Sequence, residues 1–540
     1  MIEHNRRWWS VLLPGTGGDI RVLMAALLVV ASCSTEAAQA MFPFFEPLKP
    51  ARKVQLMVHR GEANQAPENT RVALERCVED GIEWAEIDLR LTSDGKYILS
   101  HDKEIVDANG KPWPVAQHTL EELEKLDVGS AFATRYASER PLSFERCLAL
   151  AKGRLNLYLD CKAVNPDSLA KEIVAAGMER QVVLYDSLAS LQRAAAAVSP
   201  VKLALMTKWK PEFGLGDWAV TNGLAAVEID APVVTAEICR SFHEQGIRVE
   251  VKALGEWDTD ARWQAAIAAG ADFIQTDLPE EVLALSLREL IKAQPVRFSL
   301  HRGANRYAPE NTVPAFEKSI RLGADFVEFD VRTTKDGKFY LLHDGRLDRT
   351  TDGKGPIAEA DSGTVAGLSA GVKFGKPFSG VKVPTLDDFL TVTAGRVGLY
   401  FDAKAIPPEA LASAVAKHGM AERTVVYQSA SYLARLRAID PRIRGLAPVG
   451  EAKELDKLVA GLKPYAIDSE WEILSKDFIE KCHLAGIRVF SDSLGRHERV
   501  EDYLKAIEWG IDLIQTDHPL RLFRAFELRA ASGAGPTTLR

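Results

Sequence analysis

The chain has 540 residues, more than one hydrophobic core organises, so two to four domains are expected. Its 46% hydrophobic and 26% charged residues are a globular composition and exclude a disordered or multi-span membrane chain. A net charge of -8 with no long Lys/Arg block argues against a nucleic-acid partner and for a small substrate.

Residues 1–40 read as a leader. Arg6, Arg7 and Arg21 precede the apolar run VLMAALLVVAS, which is too short to span a bilayer and suits the core of a signal peptide. Two cleavage readings stand: VASC ends at Cys33 like a lipobox whose cysteine would be lipidated, and AQA ends at Ala40 like an ordinary signal-peptidase site. A start at Met24 would shorten the leader. Export is expected in either case, to the periplasm or as an outer-membrane lipoprotein attached through Cys33. The other cysteines, Cys77, Cys147, Cys161, Cys239 and Cys482, show no CxxC or Cys/His ligand spacing. Their odd number predicts at least one buried free thiol. Residues 41–53 read as a linker.

From residue 54 short apolar runs alternate with helical patterns. VQLMV, WAEIDL, LNLYLD, VVLYD, KLALM, AAVEID, RVEVKA and FIQTD read as strands. Between them, stretches such as TRVALERCVEDG and PDSLAKEIVAAG have apolar spacing and closing glycines that suit helices. Eight such runs predict a (β/α)8 barrel over residues 54–290. The scheme then repeats: HRGEANQAPENT at 59–70 returns as HRGANRYAPENT at 301–312, EID at 86 as EFD at 328, and LYLDCK at 157 as LYFDAK at 399, all 242 residues on. So long a period is a duplicated domain and not a solenoid unit. A second barrel is expected over 296–528, and a fraying tail over 529–540. The joint, PEEVLALSLRELIKAQPVRF, is helical in pattern and predicts two barrels in close contact.

One further run, YILSH, follows EIDLRLT after only SDGK, too short for a helical crossover but suited to a hairpin. A turn centred on Asp94 and Gly95 sets His101 opposite Asp88, and one centred on Asp336 and Gly337 sets His343 opposite Asp330; a longer turn would slip the register by a residue or two, so proximity and not contact is expected. Polar residues therefore gather at the C-terminal ends of the strands, where barrel enzymes keep their sites. Glu86 and Asp88 share a strand face, and Asp160 closes LNLYLD with Lys162 beyond it. Converging carboxylates repel one another and call for a cation; a hard divalent ion, Mg2+ or Ca2+, fits oxygen ligands. His59 and His101 offer a proton acceptor and a proton donor, and the Arg60 fork suits a phosphate. Together these make a phosphodiester-cleaving constellation. Singly, HRG reads as a surface loop, ExD as a polar strand edge, and Glu68 or Glu310 as a helix cap; their joint recurrence in order weighs against accident.

HRG, APENT, GADFVEFDVRTTKDG, HDGRLDRTTDGKG and IQTDHP resemble the glycerophosphodiester phosphodiesterase family, over most of residues 296–522 and less fully over 54–280. The resemblance implies tandem TIM barrels that hydrolyse glycerophosphodiesters to glycerol 3-phosphate and an alcohol. It also implies one divalent cation per active barrel and two histidines as acid and base. Carried across, it assigns His301 and His343 to catalysis, Arg302 and Lys404 to the substrate phosphate, and Glu328, Asp330, Asp402 and Glu310 to the metal or its support. The first copy offers His59, His101, Arg60, Lys162, Glu86, Asp88, Asp160 and Glu68 in matching places. Asp160 and Asp402 stand where the family has a glutamate. HDKEIVDANGKPW in the first copy lacks the Arg349 and paired threonines of the second. Neither copy has the family's WT pair on the penultimate strand. The alcohol is left open, as are a phospholipid or envelope-polymer substrate and a non-catalytic, scaffolding first barrel.

Overall fold

The computed structural model describes residues 40–533. The leader through residue 39, with Cys33, and the tail from residue 534 lie outside the described residues. Each half closes as an eight-stranded parallel barrel. In the first, the strands are Gln55–Val58, Trp84–Leu91, Asn156–Ala163, Val182–Tyr185, Ala204–Lys208, Ala226–Asp230, Arg248–Lys252 and Phe273–Thr276. Closure comes from the last strand pairing with the first, Gln55 beside Phe273 and Val58 beside Thr276. The second barrel runs from Arg297–Leu300 to Leu513–Thr516 and closes in the same way, Arg297 beside Leu513.

The helical expectations hold where apolar spacing dictates a buried face. Arg71–Glu79 is a helix burying Ala73, Leu74 and Cys77. Pro166–Ala175 starts on a proline at its first turn, with Asn165 capping the N–H groups of Asp167 and Ser168. Five cysteines, from Cys77 to Cys482, are free thiols, all buried but Cys161.

The floor of each barrel is apolar and its mouth polar. Met57, Trp84, Tyr158, Val183 and Phe273 fill the first floor, and Phe326, Tyr400, Val425 and Phe490 the second. Residues 41–53 do more than connect. Phe44 enters the first floor edge-on to Trp84, with ring centroids 5.0 Å apart, and Asn156 donates to the Phe45 carbonyl at 2.9 Å.

The barrels are pressed together. One hydrophobic cluster runs through both, including Leu283, Phe298 and Phe523. Charged contacts surround it: Lys318 reaches Glu280 at 2.6 Å, and Arg52 bridges Glu83 at 3.0 Å and Glu527 at 2.8 Å. Asp80, fully buried, takes Arg306 at 2.8 Å and the Tyr307 hydroxyl at 3.0 Å across the joint.

The strand Tyr97–Leu99 pairs antiparallel with Trp84–Leu91, but one residue out of the expected register. Leu91 faces Tyr97 and Leu89 faces Leu99, so Ser100, not His101, lies opposite Asp88 and donates its N–H to the Asp88 carbonyl at 2.9 Å. In the second copy Leu342, not His343, takes that place beside Asp330. The cause is a three-residue loop with Gly95 left-handed at φ 73° and Gly337 at φ 76°, in place of a two-residue turn.

Candidate active sites

In the second barrel, Glu328 and Asp330 point from alternate positions of one strand and Asp402 lies directly beside Asp330 on the next. One carboxylate oxygen from each comes within 4.8 Å of the others; Glu86, Asp88 and Asp160 form the same group in the first barrel. Burial, reinforced by Asp330 and Asp402, drives the Glu328 carboxyl well above the usual range, and burial with Asp88 and Asp160 does so for Glu86. Burial raises Asp402 as well, against the pull of Lys404. Asp88 Oδ1 is buried without a hydrogen-bond partner. Crowded, partly unsatisfied oxygens and no nitrogen or sulfur ligand are the donor set of a hard divalent cation, so these residues fit one.

The loop after the first strand is built around this group. Arg302 adopts φ 55° and Arg60 φ 56°, conformations that L residues rarely take. The bend aims the Arg302 N–H at Glu328 (2.7 Å) and that of Arg60 at Glu86 (2.9 Å). The next residue must then be glycine: a Cβ on Gly303, itself at φ 79°, would sit 2.8 Å from that of Ala315. Asn311 and Asn69 close the APENT turns at φ 56° and 55°. Their amides donate to Asp330 at 2.8 Å and Asp88 at 2.9 Å.

Each histidine is tied at Nδ1 to a carboxylate. His301 meets Asp517 at 2.9 Å and His343 meets Asp344 at 2.8 Å; His59 meets Asp277 and His101 meets Asp102, both at 2.8 Å. That leaves Nε2 of each ring for a ligand. Burial lowers the His301 pKa, but Asp517 outweighs it, and the net shift is upward. His301, His343, Arg302, Glu328, Asp330, Asp402 and Lys404 all line one cavity of about 240 Å3.

The cations are drawn to the carboxylates. Lys404 lies 2.5 Å from Asp402 and 3.5 Å from Asp330, and Lys162 lies 2.7 Å from Asp160 and 3.4 Å from Asp88. Glu310 and Glu68 stand outside both carboxylate trios. Glu310 instead takes Arg302 at 3.1 Å and Arg349 at 2.7 Å, and although burial would raise its carboxyl, these arginines hold it below its usual range. Glu68 pairs with Arg60 at 2.9 Å.

The residues that orient the site were not assigned from sequence. Asp277 and Asp517 belong to the repeated IQTD string, Asp102 and Asp344 to the repeated HD, and Asn69 and Asn311 to APENT. Recurrence in both copies was the available signal. Asp468 and Asp492 add acidity to the second mouth, where the first has Glu228 and Lys252 at the matching strand places.

The family model described as the glycerophosphoryl diester phosphodiesterase family matches residues 59–203 and 301–521. The chain belongs to that family. Both family regions span the histidine pair and carboxylate trio of their barrel. Among its relatives, a glycerophosphodiester phosphodiesterase of Caldanaerobacter subterraneus subsp. tengcongensis is 30% identical over 230 residues, covering 41% of this chain and 93% of its own. One from Bacillus subtilis is 26% identical over 264 residues, covering 44% and 89%. A solved glycerophosphodiester phosphodiesterase from Agrobacterium tumefaciens is 32% identical with a TM-score of 0.40, covering 42% of this chain and 99% of that one.

Proposed function

We propose that the chain hydrolyses glycerophosphodiesters to glycerol 3-phosphate and an alcohol, with one divalent cation, Ca2+ or Mg2+, held in the second barrel by Glu328, Asp330 and Asp402. The observation that carries this reading is the pair of imidazoles, each fixed at Nδ1 by its own carboxylate, lining one small cavity with that trio. Family membership and the named relatives support the substrate class.

His301, whose pKa Asp517 draws upward, suits the acid; His343 suits the base. As the oxygen of water bonds to phosphorus, His343 Nε2 takes its proton. As the opposite P–O bond breaks, His301 Nε2 protonates the departing alcohol oxygen. Arg302 and Lys404 flank the phosphate. When bound, a divalent cation supplies charge stabilisation to the phosphoryl oxygens. In the first barrel His59, His101, Glu86, Asp88, Asp160, Arg60 and Lys162 take the same roles.

Turnover of glycerophosphocholine by the full chain tests this. His343→Ala should lower kcat/KM by about 10² to 10⁴ in the second barrel, and chelation should abolish activity until Mg2+ or Ca2+ is restored. Activity that survives chelation overturns the metal role. Residual turnover in His343→Ala that disappears on adding His101→Ala assigns catalysis to the first barrel; no residual turnover makes that barrel a scaffold. The leader reading adds export with a lipid on Cys33. Mass spectrometry of the mature N-terminus decides between a lipidated Cys33 and an unmodified start at Met41.

A further inference from the structure

The segments from His101 to Ser143 and from His343 to Thr385 correspond without a gap, yet they build different surroundings for the second histidine. In the second barrel Arg349 crosses the space, reaching Asp344 and Glu310, both at 2.7 Å, and leaves a cavity of about 320 Å3 lined by Glu310, Arg349, Ala370, Lys373 and Phe374 with Arg135 of the first barrel. In the first barrel Asp107 occupies that position and turns back on its own loop, accepting from the N–H groups of Asn109 and Lys111 and from Trp113. Glu68, without a counterpart to Arg349, is 49% exposed where Glu310 is 18%.

The corresponding groove of the first barrel is larger, about 630 Å3, within the range of small-molecule sites. Its inner end is His101 with Glu68 and Asn69, the residues that ring the carboxylate trio. Thr70, Ser100, Asp102 and Glu104 line part of it with polar groups, while one wall is apolar, made by Ile105, Val106, Val128, Ala131 and Phe132. Two of these differ in kind from the second barrel, where Asp348 replaces Val106 and Lys373 replaces Ala131. Val106 is 55% exposed, an unusual place for a large apolar side chain.

The outer wall comes from the other barrel. Lys376 and Pro377 line the groove, anchored where the Lys376 N–H donates to the Phe132 carbonyl at 2.8 Å. Gly375 packs so closely on the Phe132 ring that a Cβ there would lie 2.8 Å from it.

We propose that the first barrel binds phosphodiesters whose alcohol carries an alkyl or acyl chain. The phosphate lies at the His101 end, the chain runs along Val106, Val128 and Phe132, and Pro377 of the second barrel covers it. The two barrels thus divide substrates by the character of the alcohol. This rests on the reading of the first barrel as a phosphodiester site.

The test uses the full chain carrying His59→Ala and His343→Ala, so that neither barrel turns over. Glycerol-3-phospho-n-alkyl diesters of increasing chain length, below their micellar concentrations, are titrated by calorimetry with Mg2+ present. Affinity should rise about three- to fourfold for each early methylene, the factor expected for burying one. Val106→Glu and Ala131→Lys, both at the groove surface, should each flatten this dependence while leaving the ethyl diester unaffected; Asp348→Val in the second barrel should change nothing. Affinity independent of chain length, or a dependence that survives both groove variants, overturns the proposal. If the ethyl diester binds only at the second barrel, with a stoichiometry of one that Arg302→Ala abolishes, the reading of the first barrel as a phosphodiester site falls instead. Long-chain binding that Val106→Glu removes would still establish the groove.

Discussion

Asp492→Asn should make the metal-free protein more stable above neutral pH. Burial, reinforced by Asp402, Asp517 and Glu470 and opposed by His301, pushes the Asp492 carboxyl from its ordinary 3.8 to about 6. Each tenfold change in proton affinity is worth about 1.4 kcal/mol, so the gap corresponds to about 3 kcal/mol, or about 2 after screening at the partly open mouth. The sign follows from proton linkage. Between pH 3.8 and about 6 the folded chain holds a proton that the unfolded chain has released, so stability falls as pH rises through this window and is flat above it. Asparagine has no charge to bury, and its Oδ1 still accepts from Gln515, which donates to Asp492 Oδ1 at 2.7 Å. Urea unfolding in chelator at pH 4 and pH 8 reads the effect: near parity at the lower pH and a gain for the variant of about 2 kcal/mol at the higher. Added Mg2+ or Ca2+ should narrow the gap, since a cation beside the carboxylates is held more tightly by the charged Asp492 mouth than by the variant's and offsets the cost of that charge. Parallel pH dependence in the two proteins would refute the crowded-carboxylate account of the mouth.

Three further outcomes are expected. Asp517→Asn removes the carboxylate that raises His301; if His301 is the acid proposed above, it then loses its proton at lower pH, and the alkaline limb of kcat/KM should move downward in a pH–rate profile. Asp80→Ala removes the buried partner of Arg306 and Tyr307, leaving Arg306 only the half-exposed Glu79, and should cost about 3 kcal/mol in denaturant unfolding. Gly303→Ala forces a Cβ against Ala315 at a left-handed φ and should lower stability by about 1 to 3 kcal/mol in thermal unfolding, with activity falling as the Arg302 N–H leaves Glu328.

The fold was legible because a parallel barrel writes each strand as its own short apolar run, and the duplication wrote the pattern twice. The carboxylate trio was legible for a local reason: Glu328 and Asp330 stand two apart on a strand, and Asp402 ends the strand that pairs with it. What escaped were contacts created by closure. Asp517 reaches His301 only because the eighth strand pairs with the first across 216 residues, and no local spacing announces that. The hairpin register slipped by one residue for a smaller reason, since TSDGK is compatible with two loop lengths: both put Gly95 in the left-handed region, and only the two-residue turn would also require a positive φ at Asp94, which Asp94 does not have. Phe44 was read as linker because a short plug has no periodicity.

The two copies differ where they touch each other. Arg306 and Tyr307, in the loop that carries the second HRG, dock on Asp80 at the end of the first barrel's first helix. At the matching positions the first copy has Asn64 and Gln65, and the second has Leu322 in place of Asp80. The contact therefore cannot be made the other way round, which fixes the order of the barrels in the joint. Arg306 lies four residues beyond Arg302, whose backbone N–H holds Glu328, so the loop that shapes one carboxylate site is also clamped to the neighbouring barrel. Lys376 and Pro377 of the second barrel likewise reach the first barrel's groove. The joint therefore adds its own asymmetry to that of the mouths, where Asp468 and Asp492 have Glu228 and Lys252 as counterparts.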